Sequence, residues 1–429
     1  MSAGICILNR NAIAMAADSA VTVGDHVAIH NSANKLFSLS KVAPVGMIIY
    51  ANADLMNVPI EIIVKEYKKQ NGLRTFDHLY EYVDDFLVFL EDNAELFRFP
   101  TNEESFVMDI FVNWTRGLLG DKKNAIEKRQ TELGREDLTN EELAMAYQEA
   151  VETSIAFVDT RELLPNKVFK QHIENKYKDK FSQILKNTKD FQWMTEEQIE
   201  KITQKACDLY DTKFDRNGYV GIAIAGYGEK DVFPELHHIH VTGWINGNLR
   251  RYTKEKTEID EDKTASIVPL AQTDVMQTFL FGINDRFLDD LAAEIPKEII
   301  DCFQTLDDNC FAPGQKDMVQ EKLISVTGGI VNHMIETAGK DYMRPIIQSV
   351  ATLPVEELAL LAESMINITS LRRKVAIDQN IGTVGGPIDV AIISKGDGFI
   401  WLKRKHYFEG KYNPQYFFSH FFKRSEGET

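Results

Sequence analysis

Two apolar runs near the start of the chain, Gly4 to Leu8 and Ala12 to Ala17, meet across Asn9-Arg10-Asn11. Three turn-prone residues between two strand-length runs predict a hairpin. Neither run alternates polar with apolar, so both faces of that hairpin need a cover. A chain that begins this way has to bury a sheet on each side, and the rest of the sequence can be searched for what covers it.

Lys35 to Leu39 and Gly46 to Ala53 read as a second strand pair. In NVPIEIIVKEYKKQNG, Pro59 suits a first helical turn. Ile60, Ile63, Val64 and Tyr67 then fall on one stripe, and Asn71-Gly72 is the stop. A second helix is predicted over Phe76 to Phe97. Charged and long side chains dominate Thr101 to Asn217, which reads as an all-helical block. Strands return at Tyr219 to Ala225 and Leu236 to Ile245, with Asn246-Gly247 as a hairpin turn, and again at Ser266 to Leu270. Asp274 and Gln277 have capping-box spacing at the start of a further helix. A second helical stretch runs from Phe287 to Ser349. Val355, Leu358, Ala359, Ala362, Met365, Ile366 and Thr369 mark the clearest amphipathic helix, and a hairpin turning at Lys395 to Gly398 follows it. The predicted organisation is an α+β body made of residues 1–100, 218–285 and 353–408. Helical insertions at 101–217 and 286–352 interrupt it, and an aromatic tail occupies 409–429.

With 429 residues and 44% hydrophobic content the chain has an ample core. A formal net charge of -17 argues against nucleic acid or anionic lipid as the main partner, since both demand a basic footprint. No apolar run approaches the roughly 20 residues of a membrane span. Cys6, Cys207, Cys302 and Cys310 have no metal-like spacing, which predicts reduced thiols. The apolar start lacks a basic n-region and is interrupted at Asn9-Arg10-Asn11, so the expected location is cytoplasmic. No cofactor is expected: AGYGEKD lacks the remaining glycine and the basic residue of a phosphate loop. His238 and His240 share a strand face beside His237, but no third ligand is suggested and no metal is expected.

The second residue carries the chemistry. Removing Met1 would expose Ser2, giving a hydroxyl and a free α-amine on one residue. That amine has a reference pKa of roughly 7.7–8, so an appreciable fraction is neutral near pH 7 and can take the hydroxyl proton without a histidine. A nearby ammonium keeps the amine neutral, and a carboxylate holds the ammonium in place. With Asn9-Arg10-Asn11 as the loop, Leu8 faces Ala12 and Ser2 faces Asp18, roughly 4.5–5.5 Å apart at Cβ. Asp18 is the candidate carboxylate and Lys35 the candidate ammonium. Each residue alone has an ordinary structural reading: Ser is common after the initiator Met, Asp18 suits a turn, and Lys35 suits a solvated strand end.

GICILNRNAIAMAADSAVTVG followed by NKLF resembles the start of proteasome β-type subunits and of the bacterial proteasome-like ATP-dependent protease, in the N-terminal nucleophile hydrolase superfamily. Ser2, Asp18, Thr22, Gly24 and Lys35 fit that family's pattern in order. VGMIIYANAD, YVGIAIAGYG and the LPVEELALLAESMI helix with VGGPIDVAII resemble later parts of the same fold. The resemblance implies a four-layer αββα sandwich in which Ser2 attacks an amide carbonyl and Lys35 and Asp18 tune the amine. Backbone amides at Tyr50 and Ala51 would hold the oxyanion, with Thr22 in the substrate site. It also implies a peptide or protein substrate and self-assembly into a homo-oligomer, with a ring as one form. The chain departs from the pattern in using Ser rather than Thr, and in placing Tyr50 at or near the oxyanion glycine. Thr273 is the near equivalent of a family Ser, Asp378 is displaced, and Val384 occupies another Ser position with Thr383 as the substitute. Neither helical insertion has a family counterpart. Two other functions compete: a catalytically silent scaffold binding a partner protein through the insertions, and a small-molecule amidohydrolase.

Overall fold

The computed structural model describes residues 3–23, 28–30, 33–97, 100–214, 218–306, 311, 315–375, 385–406, 408 and 410–417. Its main strands are β1 (Ala3–Asn9), β2 (Ala12–Ala17), β3 (Leu36–Ser38), β4 (Val45–Ala51), β5 (Val220–Gly226), β6 (Glu235–Ile245), β7 (Asn248–Glu258), β8 (Ala265–Ala271), β9 (Asp389–Ser394) and β10 (Gly398–Lys403). They divide between two five-stranded antiparallel sheets, ordered β8-β1-β2-β9-β10 and β7-β6-β5-β4-β3. The main helices are α1 (Ile60–Gln70), α2 (Leu79–Asp92), α3 (Pro100–Leu133), α4 (Asn140–Asp159), α5 (Phe169–Asn187), α6 (Glu196–Leu209), α7 (Asp274–Phe281), α8 (Asp285–Gln304), α9 (Gln315–Ala338), α10 (Arg344–Val350) and α11 (Val355–Val375).

The apolar hairpin has its two covers. Cys6, Leu8, Ile13 and Met15 meet Ile48, Ala223, Ala225 and Leu236 of the other sheet in one buried cluster. The alternate residues Ile5, Ile7, Ala14 and Ala16 pack on Leu358, Ala362, Met365 and Ile366 of α11. On the far side of the second sheet, Met47, Ile49, Ile222 and Ile224 pack under α1 and α2. The chain is therefore an α+β fold of four layers, helix–sheet–sheet–helix. Helices α3 to α6 share a separate core with Phe111, Tyr177, Phe181 and Tyr210 at its centre, which also takes in Ile245 and Tyr252 from the β6–β7 hairpin. Among the described residues no helix is long and apolar enough to cross a membrane.

Three local expectations are corrected. The loop after β1 is shorter by one residue: Leu8 pairs with Ile13 and Gly4 with Ala17, leaving Arg10-Asn11 as the turn. The buried Asn9 side chain sets this, because its Oδ1 accepts from the amides of Asn11 and Ala12 at 2.9 and 3.1 Å. Its Nδ2 donates to the carbonyls of Val350 and Leu353, both at 3.0 Å, tying the turn to the helical layer. The helix expected over Phe76 to Phe97 is α2, which starts after His78 in a capping box with Glu81, then breaks at Asn93 before a short turn at Ala94–Phe97. Asp274 does not form a capping box with Gln277; both its carboxylate oxygens accept from Arg373 at 2.7 Å.

Candidate active site

The register correction moves Asp18 by one residue. It lies opposite Ala3 rather than Ser2, and its amide donates to the Ala3 carbonyl at 3.1 Å. The Ala3 amide donates in return to Asp18 Oδ1 at 2.9 Å. Ser2 lies outside the described residues, one peptide bond before that amide.

Asp18 and Lys35 are brought together. Lys35 sits immediately before edge strand β3, its carbonyl accepting from the Ile49 amide at 2.8 Å. Its Nζ reaches Asp18 Oδ1 at 2.6 Å and also donates to the Ala20 carbonyl. Asp18 is 1% exposed and Lys35 2%, so the pair is dry. Burial pulls the Lys35 ammonium below the usual lysine range. Asp18 opposes that pull by charge and hydrogen bond, and nearby Lys405 adds to it. The second Asp18 oxygen accepts from the amides of Ala20 and Gly385 at 3.3 and 3.1 Å. Every face of the carboxylate is therefore held by a donor, which fixes where it points.

Residues that the sequence reading did not assign to the site contribute to it. Gly385, in the stretch joining α11 to β9, grips Asp18 through its amide, and its carbonyl accepts from the Ser19 amide at 3.1 Å. Ser19 Oγ donates to the Pro387 carbonyl at 2.5 Å. Asp389, buried and paired in register with Ala17, forms a second ion pair with Lys405. The IDV stretch at the start of an apolar run, parallel to the ADS stretch at Asp18, was the available signal for Asp389.

Tyr50 and Ala51 end β4. Ala51 adopts φ 63°, a left-handed conformation that a residue with a Cβ enters at a cost of about 1–3 kcal/mol. Ala271, which pairs with Ala3 from the other side, has φ 67°. The Tyr50 ring lies over Gly221, where a Cβ would sit 2.1 Å from a ring carbon. Its phenol oxygen shares hydrogen bonds with Nε2 of both His238 and His240, the latter at 2.8 Å, and His240 Nδ1 bonds Tyr252 at 3.0 Å. A phenol has one hydrogen, so one of the two imidazoles must donate to it. Burial, with Lys254 and His240 adding to it, pushes His238 down to about 3, which keeps it neutral. His237 points to the opposite face and reaches Glu235. Among the described residues no group of three or more His, Cys, Asp or Glu could hold a metal ion.

Of the remaining candidates, only Thr273 has a described side chain. Thr22 is in a short ribbon, Val21–Val23 with Ala28–His30, and only its backbone is described. Thr273 precedes α7 without capping it through its side chain. Gly24, Asp378, Thr383 and Val384 lie outside the described residues.

Fold and site together define a four-layer α+β chain with a buried carboxylate–ammonium pair against the first residues of its N-terminal strand. No family model and no curated protein matches the chain. It is similar to two solved structures of Anbu. One is the Gly-1 mutant from Hyphomicrobium sp. strain MC1, at 9% identity over 94% of this chain and 86% of that one, with a TM-score of 0.34. The other, from Yersinia bercovieri, is described as an ancestral beta-subunit, with 11% identity over 94% and 88% of the two chains and a TM-score of 0.32. This corrects the resemblance drawn from sequence. The comparisons return Anbu, without a sequence-level match to proteasome β-type subunits or the ATP-dependent protease. The four-layer fold is carried by the sheets and the helices packed on them.

Proposed function

We propose that the chain is an amide hydrolase that uses Ser2 as its nucleophile once Met1 has been removed. The observation that carries this reading is the buried Asp18–Lys35 pair, whose shared oxygen Oδ1 also accepts from the Ala3 amide. Ser2 is the residue bonded to that amide, and the carboxylate oxygen that accepts from the amide also holds the Lys35 ammonium. The ammonium disfavours a second positive charge nearby and keeps the amine a free base. The amine takes the Ser2 hydroxyl proton as Oγ bonds the substrate carbonyl carbon. The proton then passes to the leaving nitrogen as the C–N bond breaks, leaving an ester on Ser2. Water attacks that ester with the same amine as base, releasing the acid and restoring the hydroxyl. The developing oxyanion is assigned to the backbone amides at Tyr50 and Ala51.

Intact mass and N-terminal sequencing of protein expressed without an N-terminal tag test the first requirement, a chain beginning at Ser2. A hydroxyl-acylating probe should then label Ser2, and Ser2→Ala should remove both labelling and hydrolysis with the fold intact. Quantitative retention of Met1 would sink the proposal, since no free amine would exist.

A second reading, a silent scaffold that docks a partner through its insertions, is favoured by one observation. Leu323, Val326 and Ile330 on α9 are 40%, 57% and 52% exposed along one stripe. The same probe separates the readings, because a scaffold would not react.

A further inference from the structure

The two sheets end in four outer strands, β8 and β10 on one and β7 and β3 on the other. An outer strand presents a row of amides and carbonyls that a second chain can pair with, and proteins ordinarily guard against this. Three of these four carry such a guard. Pro269 within β8 removes an amide. β7 bears Arg251, Lys254, Glu255, Lys256 and Glu258. β3 is only three residues long. β10 differs: it reads GFIWLK, six residues without a proline and without a charge before the last.

β10 pairs with β9 alone, and a bulge at Leu402 falls near its end, leaving Gly398 to Trp401 regular. Its backbone groups that face away from β9 have no hydrogen-bond partner among the described residues. The strand is firmly seated all the same. Phe399 and Trp401 pack against the core between the sheets, and a Cβ on Gly46 would come within 2.8 Å of the Phe399 ring. Ile400 and Leu402 are 40% and 50% exposed. A guest strand would meet a fixed ladder flanked by apolar side chains.

Position supplies the guest. Asp389 pairs with Ala17, the residue before Asp18, and Val390 pairs with Lys403. The Lys403 end of β10 is thus the end nearest the candidate site. A strand added outside β10 would lie about 14 Å from β2, three spacings of ~4.8 Å. About four extended residues, at ~3.3 Å each, span that gap. Every pairing in this sheet is antiparallel, and an antiparallel guest points its N-terminal end toward Asp18.

We propose that β10 docks an extended segment of a peptide substrate as an added antiparallel strand. The segment it fits alternates β-branched or aromatic residues, which pack beside Ile400 and Leu402. The inference rests on the peptide-hydrolase reading and adds where its substrate is held.

The test uses the full-length Ser2→Ala variant, so that binding is measured without turnover. Hydrogen exchange is followed by mass spectrometry with acetyl-Lys-Thr-Val-Tyr-Val-Thr-amide, and with the same peptide methylated at its backbone nitrogens. The unmodified peptide should slow exchange across 398–403 about tenfold at saturation and leave β1 and β2 unchanged. The methylated peptide keeps the side chains and charge but has no amide hydrogens, and should leave 398–403 unchanged. Ile400→Lys, which gives β10 the charge that guards β7, should weaken binding about tenfold, about 1.4 kcal/mol, with thermal unfolding like the parent's. No protection at 398–403, equal protection by the methylated peptide, or unchanged binding in Ile400→Lys would each overturn the proposal. In the wild type, the peptide extended at its N-terminus by Ala-Ala-Ala-Ala should slow probe labelling of Ser2 more than the unextended one. Equal slowing would overturn the assignment of the guest as substrate. Failure of the hydrolase reading is separately visible: wild-type protein left unlabelled at Ser2 without peptide would sink that reading alone.

Discussion

At the scale of single residues, the Asp18–Lys35 pair is where stability and proposed chemistry coincide. Two charges are buried with 1% and 2% exposure, each compensated by the other and by backbone partners. Asp18→Asn should therefore destabilise the chain by about 3–5 kcal/mol in urea unfolding, and Asp18→Asn/Lys35→Met should recover much of that loss. Strictly additive losses would show that the pair is not coupled. The pH dependence has a definite sign. Lys35 is pulled below its unfolded value, so between the two values the unfolded chain binds more protons than the folded one. In that window this group makes stability rise with pH. Gly221 is a second sensitive position: Gly221→Ala would place a methyl against the Tyr50 ring and should cost about 1–3 kcal/mol in thermal or urea unfolding.

Among elements, the helical block α3 to α6 is fastened to the sandwich by buried polar contacts. Glu103 of α3 accepts from His172, Lys176 and Tyr177 of α5, at 2.9, 2.9 and 3.0 Å, and from the Asn246 amide at the β6–β7 turn. Burial alone would raise its carboxyl, but Lys176, His172, the Asn246 amide and Tyr177 bring it down to about 2. Against an unfolded Glu near 4.3, that depression stabilises the fold by about 3 kcal/mol, to order of magnitude. The contribution is fully present above pH ~4.3 and is lost as pH falls toward 2. Urea midpoints measured across pH 2–6 should show this slope in the wild type and lose it in Glu103→Gln. Arg250 provides the second fastening, donating from β7 to the carbonyls of Tyr210 and Thr212 just after α6. Asn246 and Gly247, at φ 51° and 78°, supply the turn that presents this hairpin, and that dipeptide was legible in the sequence.

At the scale of the whole molecule, α9 and α11 each carry a run of exposed apolar residues. Leu360, Ile368, Leu371 and Val375 of α11 are 57%, 41%, 62% and 65% exposed, in addition to the α9 stripe. An acidic chain with such faces should self-associate more as salt screens its repulsion. Sedimentation velocity should show species larger than 48.9 kDa that grow from ~50 mM to ~500 mM salt. Val326→Glu/Ile330→Glu should shift the distribution back toward the monomer if the α9 stripe is the contact. A single 48.9 kDa species at every salt concentration would exclude a homo-oligomer.

What the sequence determined by itself was local. The period-3.6 stripe of α1 appears as the buried set Ile60, Ile63, Val64 and Tyr67, and the stripe of α11 as Leu358, Ala359, Ala362, Met365 and Ile366. Two apolar runs demanded a sheet covered on both faces, and each such signal resides in neighbouring residues whose spacing alone fixes a face. Tertiary structure decided the rest. The one-residue register of β1 against β2 hangs on Asn9, whose amide nitrogen is held by carbonyls more than 340 residues away. The grip of Gly385 on Asp18, and the meeting of Tyr50 with His238 and His240, likewise join distant segments. No periodicity encodes such contacts, because they are chosen by which layers pack and in what register, and a shift of one residue moves every partner.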